Sequence, residues 1–397
     1  MEIKRSAEIK KTAENIWRKF LLAEVSNDLV MEEIRNRLYL EHIDSEWLFS
    51  PAHSPRDTCI TRIAELAFGD AVENAIYTLY DNKKEMAPYS ELTSMMDANH
   101  LYDALLQCIA DGIHFYESGS IRENPYYQKI HIRQAVQKNI TLTATDYLPY
   151  EFFQTYHRYN GANPFLYADI GFFREKVSFP VILENKEVWM SVVLSEVQSM
   201  EQAIADAEGN VITYGLGLGY YAFMAAEKDS VGTVTVIEKN PVVISLFREN
   251  LLPQFPHKEK IRIIEADALE FIETQKDGEF DTAFSDFWSG YYDGLDLYLK
   301  FMPKTARFTK TKHAYWIETC FLEQFFRPVV MKSLMKELLG KKIPLNDPDR
   351  RVPQVQKRFE SYLGRQHISI SADRDIHQLL SDESILKLMH GFAVENQ

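Results

Sequence analysis

The stretch Val211-Ile212-Thr213-Tyr214-Gly215-Leu216-Gly217-Leu218-Gly219 decides the fold. Four strand-forming residues run into glycines at alternate positions, and Tyr220-Tyr221-Ala222-Phe223 then opens a helix. A glycine-rich turn between strand and helix lets backbone approach a ligand with no Cβ in the way. It also sets a helix N-terminus against polar ligand atoms. The spacing carries further information. A dinucleotide fingerprint, G-x-G-x-x-G, would place its third glycine at position 220. That position is Tyr220, and the third glycine is Gly219.

Outward from this turn the chain alternates regularly. Strands are expected at Val211–Tyr214, Thr233–Ile237, Ile261–Ile264, Thr282–Ser285 and Ala314–Ile317. Helices are expected between them at Gly219–Glu227, Pro241–Leu251, Ala268–Thr274 and Leu295–Phe301. Short apolar strands separated by helices mean a doubly wound parallel sheet. Upstream, Phe179–Leu183 and Val188–Val192 flank a turn and read as a hairpin. Ser195, with Gln198 three residues on, looks like a capping box opening a helix that runs to Ala207. Downstream, Phe321, Leu322, Phe325, Val329 and Leu334 mark a long amphipathic helix, and the tail is again helical, with Ser371 and Ser381 as N-caps.

In doubly wound sheets ligands bind at the carboxyl ends of the strands, near the switch point. Glu238 ends the second strand, nineteen residues after Gly219. An acid there accepts both hydroxyls of a ribose, in NAD enzymes as elsewhere; otherwise it is a solvated turn or a cap. Asp267 follows the third strand, where it either accepts a hydrogen bond from an adenine amino group or only caps the next helix. The fourth strand leads into Asp286-Phe287-Trp288, which should face the reacting end of a bound nucleoside. Trp288 can equally pack against the adjacent helix. Tyr291, Tyr292 and Glu318 stand nearby in the sequence.

The order and spacing of the glycine turn, Glu238, Asp267 and the strand Asp281–Asp286 resemble the class I S-adenosylmethionine-dependent methyltransferases. The resemblance covers residues 211–318, and the spermidine-synthase-like branch is the most similar. It implies an α/β fold with a doubly wound, mainly parallel Rossmann-like methyltransferase sheet. It implies S-adenosyl-L-methionine as cofactor, with the methionine part at Gly215, Gly217 and Gly219, the ribose at Glu238 and the adenine at Asp267. Tyr214, Leu216, Lys239, Ala268 and Asp286 complete the expected cofactor contacts. Asp286, Trp288 and Tyr291 are the expected catalytic residues, Asp286 acting as base or as anchor for the cofactor's amino group. His157 joins them if the aromatic segment before the hairpin is a lid. There are departures. Thr213 stands where the family carries an acid two residues before the first glycine. The G-G-G-D-G turn and catalytic Asp pair of aminopropyltransferases are missing, which argues against polyamine synthesis. For the family's closing antiparallel hairpin only His367–Ile370 offers itself.

The remaining chain bounds the function more loosely. Its 397 residues suggest two or three domains. These are expected as a helical domain at 1–150, an aromatic linker or lid with hairpin and helix at 151–210, the cofactor domain at 211–340, and a helical extension at 341–397. Residues 1–150 read as a cap or a homo-oligomerisation domain. Within 147–179, Tyr150, Phe152, Phe153, Tyr156, His157, Tyr159, Phe165, Tyr167, Phe172 and Phe173 form a packing strip or a lid. A net charge of −14 argues against a nucleic-acid partner and favours a small-molecule or protein acceptor. Cys59, Cys108 and Cys320 lie far apart, so neither a disulfide framework nor a metal site is expected, and a cytoplasmic setting fits. No run is long and apolar enough for a membrane span. Two rivals share much of this pattern: a NAD(P)-dependent oxidoreductase, and a non-catalytic cofactor-binding scaffold.

Overall fold

The computed structural model describes residues 2–36, 38, 56–84, 86, 88–156, 163–288, 290–341 and 351–395, with backbone alone at 56–59. His157, Tyr159 and the turn at 160–161 lie outside the described residues. Two compact units are interleaved along the chain. One comprises Met1–Tyr116, Leu148–Glu175 and Leu322–Leu386; the other comprises Glu117–Tyr147, Lys176–Phe321 and Lys387–Gln397. The contiguous boundaries expected from the sequence, 1–150, 151–210, 211–340 and 341–397, do not match this division.

The second unit opens with an antiparallel meander: β1 (Ala135–Gln137), β2 (Ile140–Tyr147), β3 (Val177–Glu184) and β4 (Glu187–Ser191). β3 and β4 form the expected hairpin. Its two loop residues, Asn185 and Lys186, have φ of 52° and 73°, the positive values of a two-residue turn whose twist matches the strands. Helix α1 (Leu194–Asp206) follows and buries Leu194, Val197, Met200 and Ala203 along one stripe. Its N-cap is Val193, with no side-chain hydrogen bond, so the capping box expected at Ser195 and Gln198 does not form. Those residues already lie inside the helix.

A parallel sheet then alternates with helices. Its strands are β5 (Gly209–Tyr214), β6 (Val231–Glu238), β7 (Ile261–Glu265), β8 (Thr282–Ser285) and β9 (Lys312–Tyr315). The connecting helices are α2 (Tyr220–Ala226), α3 (Pro241–Asn250), α4 (Ala268–Thr274) and α5 (Tyr291–Thr305). The order across the sheet is β7-β6-β5-β8-β9, and every pairing is parallel. The chain therefore builds outward from β5 through β6 and β7, then returns to the other side of β5 at β8. That reversal is the switch point. Register fixes what meets there. Tyr214 pairs with Ile237 on one side and with Ser285 on the other. The next residue of each strand, Gly215, Glu238 and Asp286, is thus delivered to the same level at the sheet's carboxyl edge.

Among the described residues this sheet has five strands and no antiparallel member. Ser369–Ile370, within the segment considered for a closing hairpin, instead pairs in parallel with Glu2–Ile3 in the first unit.

In the first unit, the helix Ala7–Arg35 is capped by Ser6, whose hydroxyl accepts from Ile9 N–H at 3.2 Å. It buries a stripe that includes Ile9, Ala13, Ile16, Trp17, Phe20 and Leu21. Arg56–Asp81 is one continuous helix, passing through Gly69 and Asp70. Among the described residues this unit also holds a three-stranded sheet of Ile113–Tyr116, Ile170–Phe173 and Phe153–Gln154. The aromatic strip supplies its core: Phe152, Phe153, Phe165, Phe172 and Phe173 are all buried. These residues pack inside the unit and do not form a lid. The all-helical reading of 1–150 is corrected by Ile113–Tyr116, β1 and β2. The tail is helical as expected at Arg351–Arg365, Asp373–Leu379 and Asp382–Glu395. Ser381 caps the last of these through Ser384 N–H at 3.4 Å, whereas Ser371 donates its hydroxyl to Asp375. No helix among the described residues is long and apolar enough to cross a membrane.

Candidate functional site

A cavity of about 320 Å³ lies at the carboxyl ends of the parallel strands, wholly within the second unit. The glycine turn forms one wall, and its three glycines answer to different constraints. Gly215 has φ +100°, and a Cβ there would stand 1.8 Å from the carbonyl oxygen of Asp286. Gly219 has φ +76° at the N-cap of α2, where a Cβ would stand 2.3 Å from the Phe247 ring. Gly217, at φ +51°, is the one of the three with room: an added Cβ would meet only Met190 Sδ at 3.8 Å. Gly215 and Gly219 are therefore required by the fold itself. Gly217, which lines the cavity, keeps backbone open to it.

Glu238 ties the turn to β6. Its Oε2 accepts from Leu216 N–H at 3.2 Å and its Oε1 from Asn240 N–H at 2.8 Å. Burial raises its pKa, and the amides of Asn240, Leu216 and Lys239 oppose that rise. Each carboxylate oxygen has two lone pairs, so acceptor capacity remains for ligand hydroxyls. Asp267 caps α4 by accepting from Leu269 N–H at 2.8 Å through Oδ1, and it also lines the cavity. The two readings of Asp267 are thus compatible. Thr213 lines the cavity, buried, with its hydroxyl donating to Gly215 C=O at 3.3 Å.

Two further carboxyls line the cavity, Asp286 after β8 and Glu196 in the first turn of α1. Asp286 keeps part of its surface open to the cavity, but protein surrounds it on every other side. Burial pushes both carboxyls well above the ordinary range, and the charge of Asp286 raises Glu196 further. Lys239 is the sole cation among the described lining residues, and it follows Glu238 directly. The remaining wall is aromatic. Trp189, Trp288 and Trp316 line it, with Trp288 Nε1 donating to Ser285 C=O at 3.2 Å and Trp316 Nε1 donating to Ser199 Oγ at 2.8 Å. Tyr221 stacks on Phe284 at 4.2 Å between centroids, and among the described residues its buried hydroxyl has no hydrogen-bond partner.

Of the residues expected from the sequence, Gly215, Leu216, Gly217, Glu238, Lys239, Asp267, Ala268, Asp286 and Trp288 meet in this cavity. Three do not line it. Tyr214 is fully buried, its hydroxyl donating to Gln275 Oε1 at 2.8 Å and its ring set edge-on to Phe301. Gly219 acts through the helix cap. Tyr291 packs against Tyr292 and Phe321, because α5 begins four residues earlier than expected. Glu318 accepts from Tyr298 Oη at 2.6 Å and meets His390 Nε2 at 2.7 Å, away from the cavity. Sequence reasoning missed Glu196, Trp189, Trp316 and Tyr221. A signal existed for Glu196: it is four residues before Met200, so helical spacing sets both on one face, and both line the cavity.

Neither a protein-family model nor a curated protein sequence matches the chain. Solved structures with partial similarity include spermidine synthase from Thermotoga maritima, at 14% identity and TM-score 0.28, covering 37% of this chain and 59% of that one. An S-adenosylhomocysteine-bound methyltransferase from Podospora anserina is 17% identical, with TM-score 0.30 over 45% of this chain and 72% of that one. An Agrobacterium tumefaciens S-adenosylmethionine-dependent methyltransferase is also 17% identical, with TM-score 0.27 over 34% and 47%. The chain thus spans about three-fifths of the Thermotoga protein. The fold rests on this chain's own sheet order and register.

Proposed function

We propose that the second unit binds S-adenosyl-L-methionine in this cavity and transfers its methyl group to a small-molecule or protein acceptor. The observation that carries the reading is the alignment of Gly215, Glu238 and Asp286 at the switch point, with Asp267 one strand further on. Gly217, with room where its neighbours have none, suits a close backbone approach to the methionine part. Glu238 suits the ribose hydroxyls, and Asp267 the adenine amino group. Thr213 cannot balance the cofactor's ammonium charge, so that task falls to a carboxyl that lines the cavity. The cofactor supplies a methyl group on a sulfonium, displaced in line by the acceptor. The protein's share is to hold the acceptor on the methyl axis, exclude water and accept a proton. Asp286 suits the last of these.

The cavity extends past the glycine turn to Asp286 and Trp288, which favours an enzyme over a scaffold that retains only cofactor contacts. The position of Gly219 favours this cofactor over NAD. Calorimetric titration with S-adenosylmethionine, S-adenosylhomocysteine and NAD tests the reading. Micromolar binding of the first two with NAD silent supports it. Binding of NAD alone replaces it with the oxidoreductase, and no binding at all leaves the scaffold.

A further inference from the structure

Two neighbouring surfaces of the first unit complement each other in charge. The outer stripe of the helix Arg56–Asp81 carries Leu66, Asp70, Glu73, Tyr77 and Tyr80, in steps of four, three, four and three residues. That spacing keeps all five on one face, over roughly 21 Å of helix. Leu66 is 54% exposed and Tyr77 71%. Among the described residues no Lys, Arg or His pairs with Asp70 or Glu73, and Arg62 at the head of the stripe is engaged by Glu65. A helix face meant only for solvent has no need of a row of leucine and tyrosine.

A groove of about 940 Å³ carries the opposite charge. Lys10, Lys11, Arg18 and Lys341 line it, with His377 beside them, and Glu14 is the one acid among its described lining residues. Glu14 meets Lys10 at 3.8 Å, and Lys341 meets Glu91 at 2.6 Å. Lys11 and Arg18 have no carboxylate partner among the described residues; Arg18 donates instead to Asn15 Oδ1 at 2.8 Å. Met95, Leu338 and Leu339 give the groove an apolar lining. The two surfaces share a border. Tyr80 Oη, from the stripe, donates to Met96 C=O at 3.1 Å, and the preceding residue, Met95, lines the groove.

We propose that the first unit pairs with a second copy of this chain about a two-fold axis, the acidic stripe of each copy entering the basic groove of the other. A two-fold contact requires one patch that complements itself after a half-turn. An acidic, aromatic half bordering a basic, apolar half meets that requirement, and each contact is then made twice. A net charge of −14 opposes self-association unless the surfaces match locally, which these do. Nucleic acid would be drawn to the groove but repelled by the stripe at its border. The matched charges are exposed, so salt weakens the pairing.

Sedimentation of the full chain across the micromolar range tests this. The expected result is a reversible dimer whose dissociation constant rises at least fivefold from low to high salt. Lys11→Glu with Arg18→Glu should weaken the dimer at least tenfold, and so should Asp70→Lys with Glu73→Lys. An equimolar mixture of the two double variants should dimerise again, because each reversed groove then meets a reversed or native stripe of opposite sign. These side chains are exposed, and melting temperatures near that of the wild type, together with recovery in the mixture, show that the variants are folded. A monomer at every concentration overturns the proposal. So does a dimer that survives both reversals, which lies on another surface, and so does a pair of monomeric variants that fail to recover on mixing. Masses that climb past the dimer mean head-to-tail growth and overturn the two-fold arrangement.

Discussion

Oε2 of Glu238 accepts a hydrogen bond from the backbone N–H of Leu216 at 3.2 Å, which makes the acid ending β6 and the glycine turn after β5 one structural unit. A second oxygen holds Asn240 N–H at 2.8 Å, so this carboxylate braces both turns before it meets any ligand. Glu238→Ala is therefore expected to do two things. It should weaken S-adenosylmethionine binding at least tenfold, about 1.4 kcal/mol. It should also lower the melting temperature modestly, because two amides lose a charged acceptor while a desolvated carboxylate is relieved. Calorimetry and thermal denaturation read the two effects separately. Unchanged affinity would sink the ribose assignment.

The glycines of the turn separate folding from binding. At Gly215 a Cβ would sit 1.8 Å from Asp286 C=O with φ at +100°, and the obstacle is backbone that cannot swing aside. Gly215→Ala is expected to cost more than about 3 kcal/mol or to abolish folded expression. At Gly217 the φ of +51° lies in the left-handed region and the nearest neighbour stands at 3.8 Å. Gly217→Ala should cost only about 1–2 kcal/mol in stability and show its main effect as weaker cofactor binding. Equal stability losses in the two variants would contradict the geometry.

The carboxyl pair makes stability depend on pH in an uncommon direction. A carboxyl whose folded pKa stands above its unfolded value binds protons on folding, so stability falls as pH rises between the two values. Glu196 and Asp286 are both raised, the first by burial and by the charge of Asp286, the second by burial. Their contribution is full below the ordinary carboxylate pKa of about 4 and declines as pH climbs past it. Glu196→Gln removes one member and the mutual repulsion. The variant should melt higher than wild type at pH 8, and the difference should shrink toward pH 5. Glu24 in the first unit, pushed up to about 7 by burial, is common to both proteins and cancels in the comparison. Melting curves that run parallel across this range would show that the pair is not strained.

The parallel sheet was legible because its signals are local. Each strand is a short apolar run ending in a residue whose type suits its place: glycine after β5, Glu238 on β6, Asp267 after β7, Asp286 after β8. What was not legible depends on contacts far apart in sequence. Glu196 lies between Ser195 and Gln198, and the capping pattern drew attention to those two. Only the packing of α1 beside the sheet shows that it meets Asp286. Tyr214 stands at the strand tip and so resembles a ligand contact, but the alternation of the strand sends its ring to Phe301 and Gln275. β2 was a missed period: Ile140-Thr141-Leu142-Thr143 alternates apolar and polar as a half-buried strand does. The interleaving of the units was beyond reach for a different reason. The strand Ile113–Tyr116 pairs with Ile170–Phe173 across more than fifty residues of intervening chain.

Arg327 anchors the first unit. It is 1% exposed, and its guanidinium donates to Leu380 C=O at 3.0 Å, to Pro164 C=O at 2.8 Å and to the Asp382 carboxylate. Arg327→Ala leaves two buried carbonyls and a carboxylate without their donor, and is expected to cost about 3–5 kcal/mol. Asp382 is half exposed, so water can replace the lost partner, and Asp382→Asn should cost about 1 kcal/mol or less. Chemical denaturation of the two variants checks the contrast. Similar midpoints would show that the ion pair, and not the carbonyl contacts, carries the anchor.

Tyr221 tests whether a structural liability serves a ligand. A buried hydroxyl without a partner costs the folded protein about 1–3 kcal/mol relative to one that is satisfied. Tyr221→Phe keeps the ring stacked on Phe284 and removes only that oxygen. The variant should melt at the wild-type temperature or above it, since no described residue bonds the hydroxyl. Cofactor affinity should be unchanged, because the hydroxyl is sealed from the cavity. A lower melting temperature would mean that the hydroxyl is bonded inside the protein, and weaker cofactor binding that it reaches the cavity after all.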